Sequence, residues 1–271
     1  FYRIDTNALV TRTAVQVQRD AFGHINGLTW GTNHYEFQLD SEGNVTAVVP
    51  PVFTVKPMNF PSAGAGVSYS NTLAGSATDA DVGDTLSYYK VTGPTWLNVA
   101  TNGALTGTPA VTNVGTNSWT VQVSDGHGGT DAVTLNIVVQ SAWAYWTNQY
   151  GLTQGATGDE DGDGIKNLYE YASGGNPTNA GDHGFLPTFT LKSTGGSNWY
   201  EFVYAQRADT NYSGLSYSVQ LATNLASLVW STNGYTMAGS GSLTNGFLSV
   251  TNRIETNVKS QQYIRLRIIQ Q

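Results

Sequence analysis

Asp159-Glu160-Asp161-Gly162-Asp163-Gly164-Ile165-Lys166-Asn167-Leu168-Tyr169-Glu170 is the stretch from which the rest of the chain is best read. Its acids fall at positions 1, 3, 5 and 12, with an amide at 9 and a glycine at 6. That is the twelve-residue calcium pattern D-x-D-x-D-G-x-x-N-x-x-E. The expected ligands are Asp159, Asp161, Asp163, the backbone carbonyl of Ile165, Asn167 (directly or through water) and a bidentate Glu170. Gly164 sits where the backbone must turn sharply. A hard divalent cation prefers 6–8 oxygens, and four carboxylates this close repel one another without one. Ca²⁺ is therefore the expected cofactor, with an acidic, solvated turn as the plainer reading.

The flanks of the loop read as short helices. Trp143, Trp146 and Tyr150 recur at helical spacing before it, and Leu168, Tyr169, Tyr171 and Ala172 follow from Asn167. Gly174-Gly175 and Pro177 stop the second helix. Residues 141–183 thus form a helix–loop–helix insert whose aromatics pack against β structure; the rival use of such a cluster is sugar binding.

On both sides the pattern changes to period 2, the mark of strands with one buried face. Within 184–271 the predicted strands are 199–206, 215–221, 247–250 and 262–269, the last with Ile264, Leu266 and Ile268 on one face. Within 51–140 they are 86–91, 119–124 and 132–139, with Gly/Pro/Asn turns between. In residues 1–50, Val15 and Val17, Tyr35, Phe37 and Leu39, and Val45, Ala47 and Val49 alternate with polar residues, and Pro50-Pro51 closes the segment. The fold class is mainly β: tandem immunoglobulin-like β-sandwiches with a short helical calcium-loop insert. The domains are 1–50, 51–140, 141–183 and 184–271.

Gly75-Ser76-Ala77-Thr78-Asp79-Ala80-Asp81-Val82-Gly83-Asp84, Pro94-Thr95-Trp96-Leu97, Gly103-Ala104-Leu105-Thr106-Gly107-Thr108-Pro109 and Val123-Ser124-Asp125-Gly126-His127-Gly128-Gly129 follow one another in that order. Together they resemble the cadherin-like, dystroglycan-type immunoglobulin-fold domains of bacterial surface proteins. The resemblance implies that Asp79, Asp81 and Asp125 are candidates for a second calcium site; Asp side chains also hold turns. The loop at 159–170 resembles the single calcium loops of thrombospondin-like and dockerin-like repeats. Its apolar Ile165 stands at position 7 rather than position 8, where a paired EF-hand has one, which implies a structural site rather than a sensor. Tyr217–Leu225 and Tyr263–Arg267 resemble the C-terminal β-sandwich tails of secreted proteins.

Composition supports an extracellular setting. Only 11% of the 271 residues are charged, against a usual ~25%, and Thr, Ser, Asn, Gln and Gly supply the polarity. A net charge of −7 disfavours nucleic acid, whose phosphates need Lys and Arg. With no cysteine there are no disulfides and no thiol chemistry, and bound calcium is a substitute staple. No apolar run of ~18 residues exists to insert in a membrane. Phe1 opens neither a signal peptide nor a chain with an initiator Met, so the sequence reads as a mature or excised piece.

No nucleophile elbow, P-loop or H-E-x-x-H motif is present. His24, His34, His127 and His183 are not at metal spacing with one another, and Glu36 and Glu201 read as solvent-facing strand residues. The expectation is a non-enzymatic, secreted or cell-surface protein with a structural or adhesive role, a self-assembling fibre subunit with strand exchange, made rigid by calcium. Its partners would be copies of itself or neighbouring domains of a larger chain, and extracellular polysaccharide is a further candidate. The alternative is a carbohydrate-binding or spacer region of a larger secreted enzyme. The assembly idea comes from an echo: Phe1-Tyr2-Arg3-Ile4-Asp5 aligns with Tyr263-Ile264-Arg265-Leu266-Arg267. The plainer account of the echo is coincidence or a clipped preceding domain.

Overall fold

The computed structural model describes residues 49–271 except 82, 195, 228 and 257–261, and, before residue 49, the backbones of four strands. These four, β1 (Gln16–Arg19), β2 (Ile25–Trp30), β3 (Asn33–Leu39) and β4 (Val45–Ala47), form an antiparallel sheet in sequence order. The register sets Phe37 opposite Ala47 and Leu39 opposite Val45, in keeping with the period-2 reading. Phe1–Asp5 and the turn at 40–44 lie outside the described residues.

Nine strands follow: β5 (Val52–Phe53), β6 (Met58–Gly64), β7 (Tyr69–Thr72), β8 (Ala77–Thr78), β9 (Ser87–Thr92), β10 (Leu97–Val99), β11 (Ala104–Gly107), β12 (Gly115–Ser124) and β13 (Thr130–Gln140). They make a four-stranded sheet, β6-β13-β12-β9, a three-stranded sheet, β10-β11-β7, and the short pair β5-β8. Asn117, Trp119, Val121 and Val123 of β12 are buried in alternation, as are Val133, Leu135, Ile137 and Val139 of β13. Two sheets can then share one core with polar outer faces. Trp119 anchors that core. Its indole N–H donates to the Pro94 carbonyl at 2.8 Å, and its ring meets Trp96 edge-on at 5.1 Å. The Trp96 N–H in turn donates to Asn117 Oδ1. Gly93, at φ 120°, lies against the Trp119 ring where a Cβ would come within 2.3 Å of ring carbon, so only glycine lets the turn close over the indole.

The helical insert is as expected. α1 (Ala142–Tyr150) is capped by Ser141, whose hydroxyl accepts the Ala144 N–H, and ends at left-handed Gly151. α2 (Asn167–Ser173) ends at left-handed Gly174. The C-terminal sandwich then runs β14 (Thr188–Thr194), β15 (Ser197–Arg207), α3 (Thr210–Ser213), β16 (Leu215–Ala222), β17 (Thr236–Ser242), β18 (Phe247–Glu255) and β19 (Tyr263–Gln270). A four-stranded sheet, β14-β15-β18-β17, accompanies a two-stranded one, β16-β19. Phe202, Tyr204, Val219, Leu221, Val250 and Ile254 form the core. Glu201 departs from the solvent-facing reading: its side chain is 17% exposed and accepts from Arg253 on the neighbouring strand.

By contacts the chain divides into two compact units. One holds Phe1–Pro61, Tyr69–Gly107 and Thr116–Ile137; the other holds Ser62–Ser68, Thr108–Gly115 and Val138–Gln271. In the second, Tyr171 and Ala172 of α2 pack with Leu215 and Ile268, and Trp143, Trp146 and Leu168 close over them. Helix rings and strand side chains thus build one apolar cluster around Tyr171, which is 1% exposed. The Arg207 guanidinium lies 4.5 Å from the Tyr171 ring centre and forks onto Asp209. Tyr171 donates to the Ser213 carbonyl, Tyr217 to that of Ala172. Burial pushes the Tyr171 hydroxyl up to about 12, so it remains a neutral donor. Among the described residues no helix is long and apolar enough to cross a membrane.

Candidate metal centre

The loop at 159–170 folds through its own backbone. Gly162 and Gly164 take φ values of 76° and 90°, the left-handed region where a side chain is strained. Sharp turning points successive N–H groups inward, and the acids collect them. Asp159 accepts from Gly162 N–H through Oδ1 at 2.8 Å and from Gly164 N–H through Oδ2 at 2.9 Å. Asp161 Oδ1 accepts from Asp163 N–H and Asp163 Oδ1 from Ile165 N–H.

These bonds leave a particular set of oxygens over. Asp161 Oδ2 and both Oε atoms of Glu170 are buried without a hydrogen-bond donor, and Asp163 Oδ2 has only the His183 ring nitrogen near it. Asp159, Asp161 and Asp163 each bring one carboxylate oxygen into a group whose members lie within 4.8 Å of one another. Glu170, on the first turn of α2, is fully buried. Buried carboxylate oxygens without donors are costly, and here Asp161 and Glu170 both leave such oxygens. The cost shows in Glu170, whose carboxyl is raised to about 7, first by desolvation and then by Asp161, Asp163, Asp159 and Asp182. A divalent cation would supply the missing positive charge, and the donor set, all oxygen, suits Ca²⁺.

Two loop residues serve other ends. Asn167 is fully buried. Its Oδ1 accepts from Glu160 N–H, and its Nδ2 donates to the carbonyls of Gln154 and Gly155, at 3.2 Å each. These bonds tie the approach segment to the loop and leave the Asn167 oxygen a second lone pair. Glu160 faces away and accepts from Gln154 and Thr153 N–H groups, which hold its carboxyl below the usual range. His183, which spacing gave no part to play, stands at the rim with Nε2 3.2 Å from Asp163 Oδ2 and 3.1 Å from the Ala180 carbonyl.

The proton balance of Glu170 predicts a pH signature. In the ion-free chain its folded value, about 7, lies above the ordinary 4.5. The folded state therefore holds an extra proton between those values, and stability falls as pH rises through that window. At about 1.4 kcal/mol per pH unit the span is on the order of 3 kcal/mol. The melting temperature of chelated protein should fall between pH 5 and pH 8, and the gain on adding calcium should be larger at pH 8. A flat profile in chelator would contradict the buried, unpartnered state of Glu170.

The second set of acids is arranged differently from expectation. Asp79 and Asp81 come together with Asp84, each offering an oxygen within 4.8 Å of the others; Asp125 is not in that group. Asp125 is 2% exposed; its Oδ1 accepts from the N–H groups of His127 and Gly129, and its Oδ2 is buried without a hydrogen-bond partner. Asp81 Oδ2 accepts from Val49 N–H, and Asp79 Oδ1 from Asp81 N–H. Asp84 was legible in the same stretch, at the end of D-x-D-x-x-D, and lies 3.3 Å from His127 Nδ1.

Comparison with known proteins bears on the first sandwich. Residues 50–140 match the sequence model of the family described as "Putative Ig domain" (He_PIG). No curated protein matches the chain. Among solved structures, the endo-fucoidan hydrolase MfFcnA4 of glycoside hydrolase family 107 is 15% identical over 97% of this chain and 38% of its own, with a TM-score of 0.38. Endo-fucoidan hydrolase MfFcnA9 is 23% identical over 49% and 27%, at 0.30. The human desmocollin-1 ectodomain is 10% identical over 83% and 37%, at 0.28. The chain thus spans well under half the length of each of these proteins. The family match and the packed sheets of β5 to β13 agree: residues 50–140 form an immunoglobulin-like β domain.

Proposed function

We propose that this chain is a segment of an extracellular structural or adhesive protein, non-catalytic, whose second unit is made rigid by one Ca²⁺ at 159–170 and whose copies assemble by strand exchange. The observation that carries the reading is the pair of buried, donorless Glu170 oxygens beside Asp161 and Asp163. Ions that bind only the folded state stabilise it, and this chain has no cysteine to do so. A bound ion would join α2, and through Tyr171 the strands β16 and β19, to the loop that precedes it. Asp159, Asp161, Asp163, Glu170 and the Ile165 carbonyl would hold the ion, with Asn167 as the brace that shapes the loop. Asp79, Asp81 and Asp84 are a subordinate candidate for the same cation.

The alternative, a carbohydrate-binding or spacer region of a larger secreted enzyme, would use exposed ring faces. At the insert the Trp146 ring packs against Trp143, Tyr150 and Tyr171, all within 5.4 Å between centres, while Tyr150 and Tyr169 remain partly exposed. Assembly is tested by light scattering. The full chain in calcium should form multimers, and deleting Phe1–Asp5 should leave folded monomer. A truncated chain that assembles as before would sink strand exchange.

A further inference from the structure

The C-terminal sandwich is unequal, with four strands in one sheet and two in the other. β19 pairs with β16 along its whole length, Tyr263 opposite Ala222 through Gln270 opposite Leu215. Among the described residues no strand pairs with its other edge. A groove of about 490 Å³ lies beside β19, lined by Phe185, Leu186, Pro187, Phe202, Ile264 and Leu266 among others. It takes residues from β19, β15 and α2 and none from β16. One wall is Gly164, Ile165 and Lys166 of the acidic loop. Leu186 is 54% exposed at its rim. A free sheet edge beside an apolar slot between two sheets is the arrangement that accepts an added strand: backbone groups pair with the edge, and alternate side chains enter the slot.

We propose that this groove is the acceptor for Phe1–Asp5 of a second copy, an inference that rests on the strand-exchange reading above. The occupant needs apolar residues at every second position, and Tyr2 and Ile4 provide them, with Phe1, Arg3 and Asp5 on the opposite face. The same face pattern already works in β19, where Ile264, Leu266 and Ile268 turn inward and Arg265 and Arg267 outward. Charge narrows the register. Arg265 is held by Gln220 Oε1 and by the Trp230 ring at 4.0 Å. An antiparallel register that sets Asp5 opposite Arg267 brings Ile4 beside Ile268, which lines the groove, Arg3 beside Ile269 and Tyr2 beside Gln270 at the groove's end, so no like charges meet. Pairing two β19 edges about Leu266 would set Arg265 against Arg267, and like charges directly opposite destabilise. The donor and acceptor lie on different parts of the chain, so the contact is head-to-tail and propagates unless its rotation closes a ring.

Sedimentation velocity on the full chain in calcium decides it, with far-ultraviolet circular dichroism to show that each variant is folded. Leu186→Asp places a charge in the slot at an exposed position and should weaken self-association at least tenfold. Asp5→Arg and Arg267→Asp should each weaken it, and the two together should restore it. Self-association unchanged by Leu186→Asp, or no recovery in the doubly exchanged chain, overturns the groove while leaving strand exchange elsewhere standing. A wild-type chain that stays monomeric at every concentration overturns both.

Discussion

Chelating calcium should lower the melting temperature of this protein by about 5–10 °C, on the basis that an ion at ~100 times its dissociation constant contributes about 2.7 kcal/mol and each kcal/mol moves a domain of this size by about 2–4 °C. The physical source is local. With the ion, the free oxygens of Asp161 and Glu170 gain a partner. Without it, the folded state must either keep carboxylates buried and mutually repelling or protonate Glu170, whose carboxyl already sits at about 7. Magnesium should substitute poorly, since it demands a tighter octahedral set and keeps its waters. The measurement is a thermal melt in calcium, in magnesium and in chelator. Superimposed curves would remove the ion from the account.

Tyr171→Ala should cost about 3–5 kcal/mol, the range for deleting a buried aromatic from a packed core. The residue touches everything the second unit must hold together. Its ring meets Trp143 at 5.2 Å edge-on and Trp146 at 5.2 Å, and it lies under the Arg207 guanidinium. It sits one residue after Glu170, so a collapse there also moves the ligand that closes the loop. Tyr171→Phe is the informative contrast. It removes only the 3.3 Å hydrogen bond to the Ser213 carbonyl and should cost about 1 kcal/mol. Chemical denaturation of the two variants reads both values. If Tyr171→Ala cost no more than Tyr171→Phe, the aromatic cluster would not be what joins helix to sheet.

What the sequence made legible was local. The spacing of Asp159, Asp161 and Asp163 places their oxygens together because a short loop with two left-handed glycines has few ways to turn; Glu170, on the following helix, is buried but stands outside that group. The alternation in β12, β13 and β19 is visible because each of these strands buries one face. β17 was missed for the opposite reason: Thr236-Met237-Ala238-Gly239-Ser240-Gly241-Ser242 is exposed at every position, and an edge strand wet on both faces carries no period-2 signal. The capture of Glu201 by Arg253 depends on where distant strands meet and leaves no trace in spacing. Asn167 has a second task that the pattern does not show: its side chain also bonds the Gln154 and Gly155 carbonyls and the Glu160 N–H.

The most direct measurement is a calorimetric calcium titration of the full chain and of Asp161→Ala, each verified as folded. The account predicts that the wild-type chain binds an ion at 159–170, with proton release near neutral pH as Glu170 is displaced from its protonated form, and that Asp161→Ala loses that one site. Full wild-type stoichiometry in Asp161→Ala, or no binding heat in the wild type at pH 8, would contradict it.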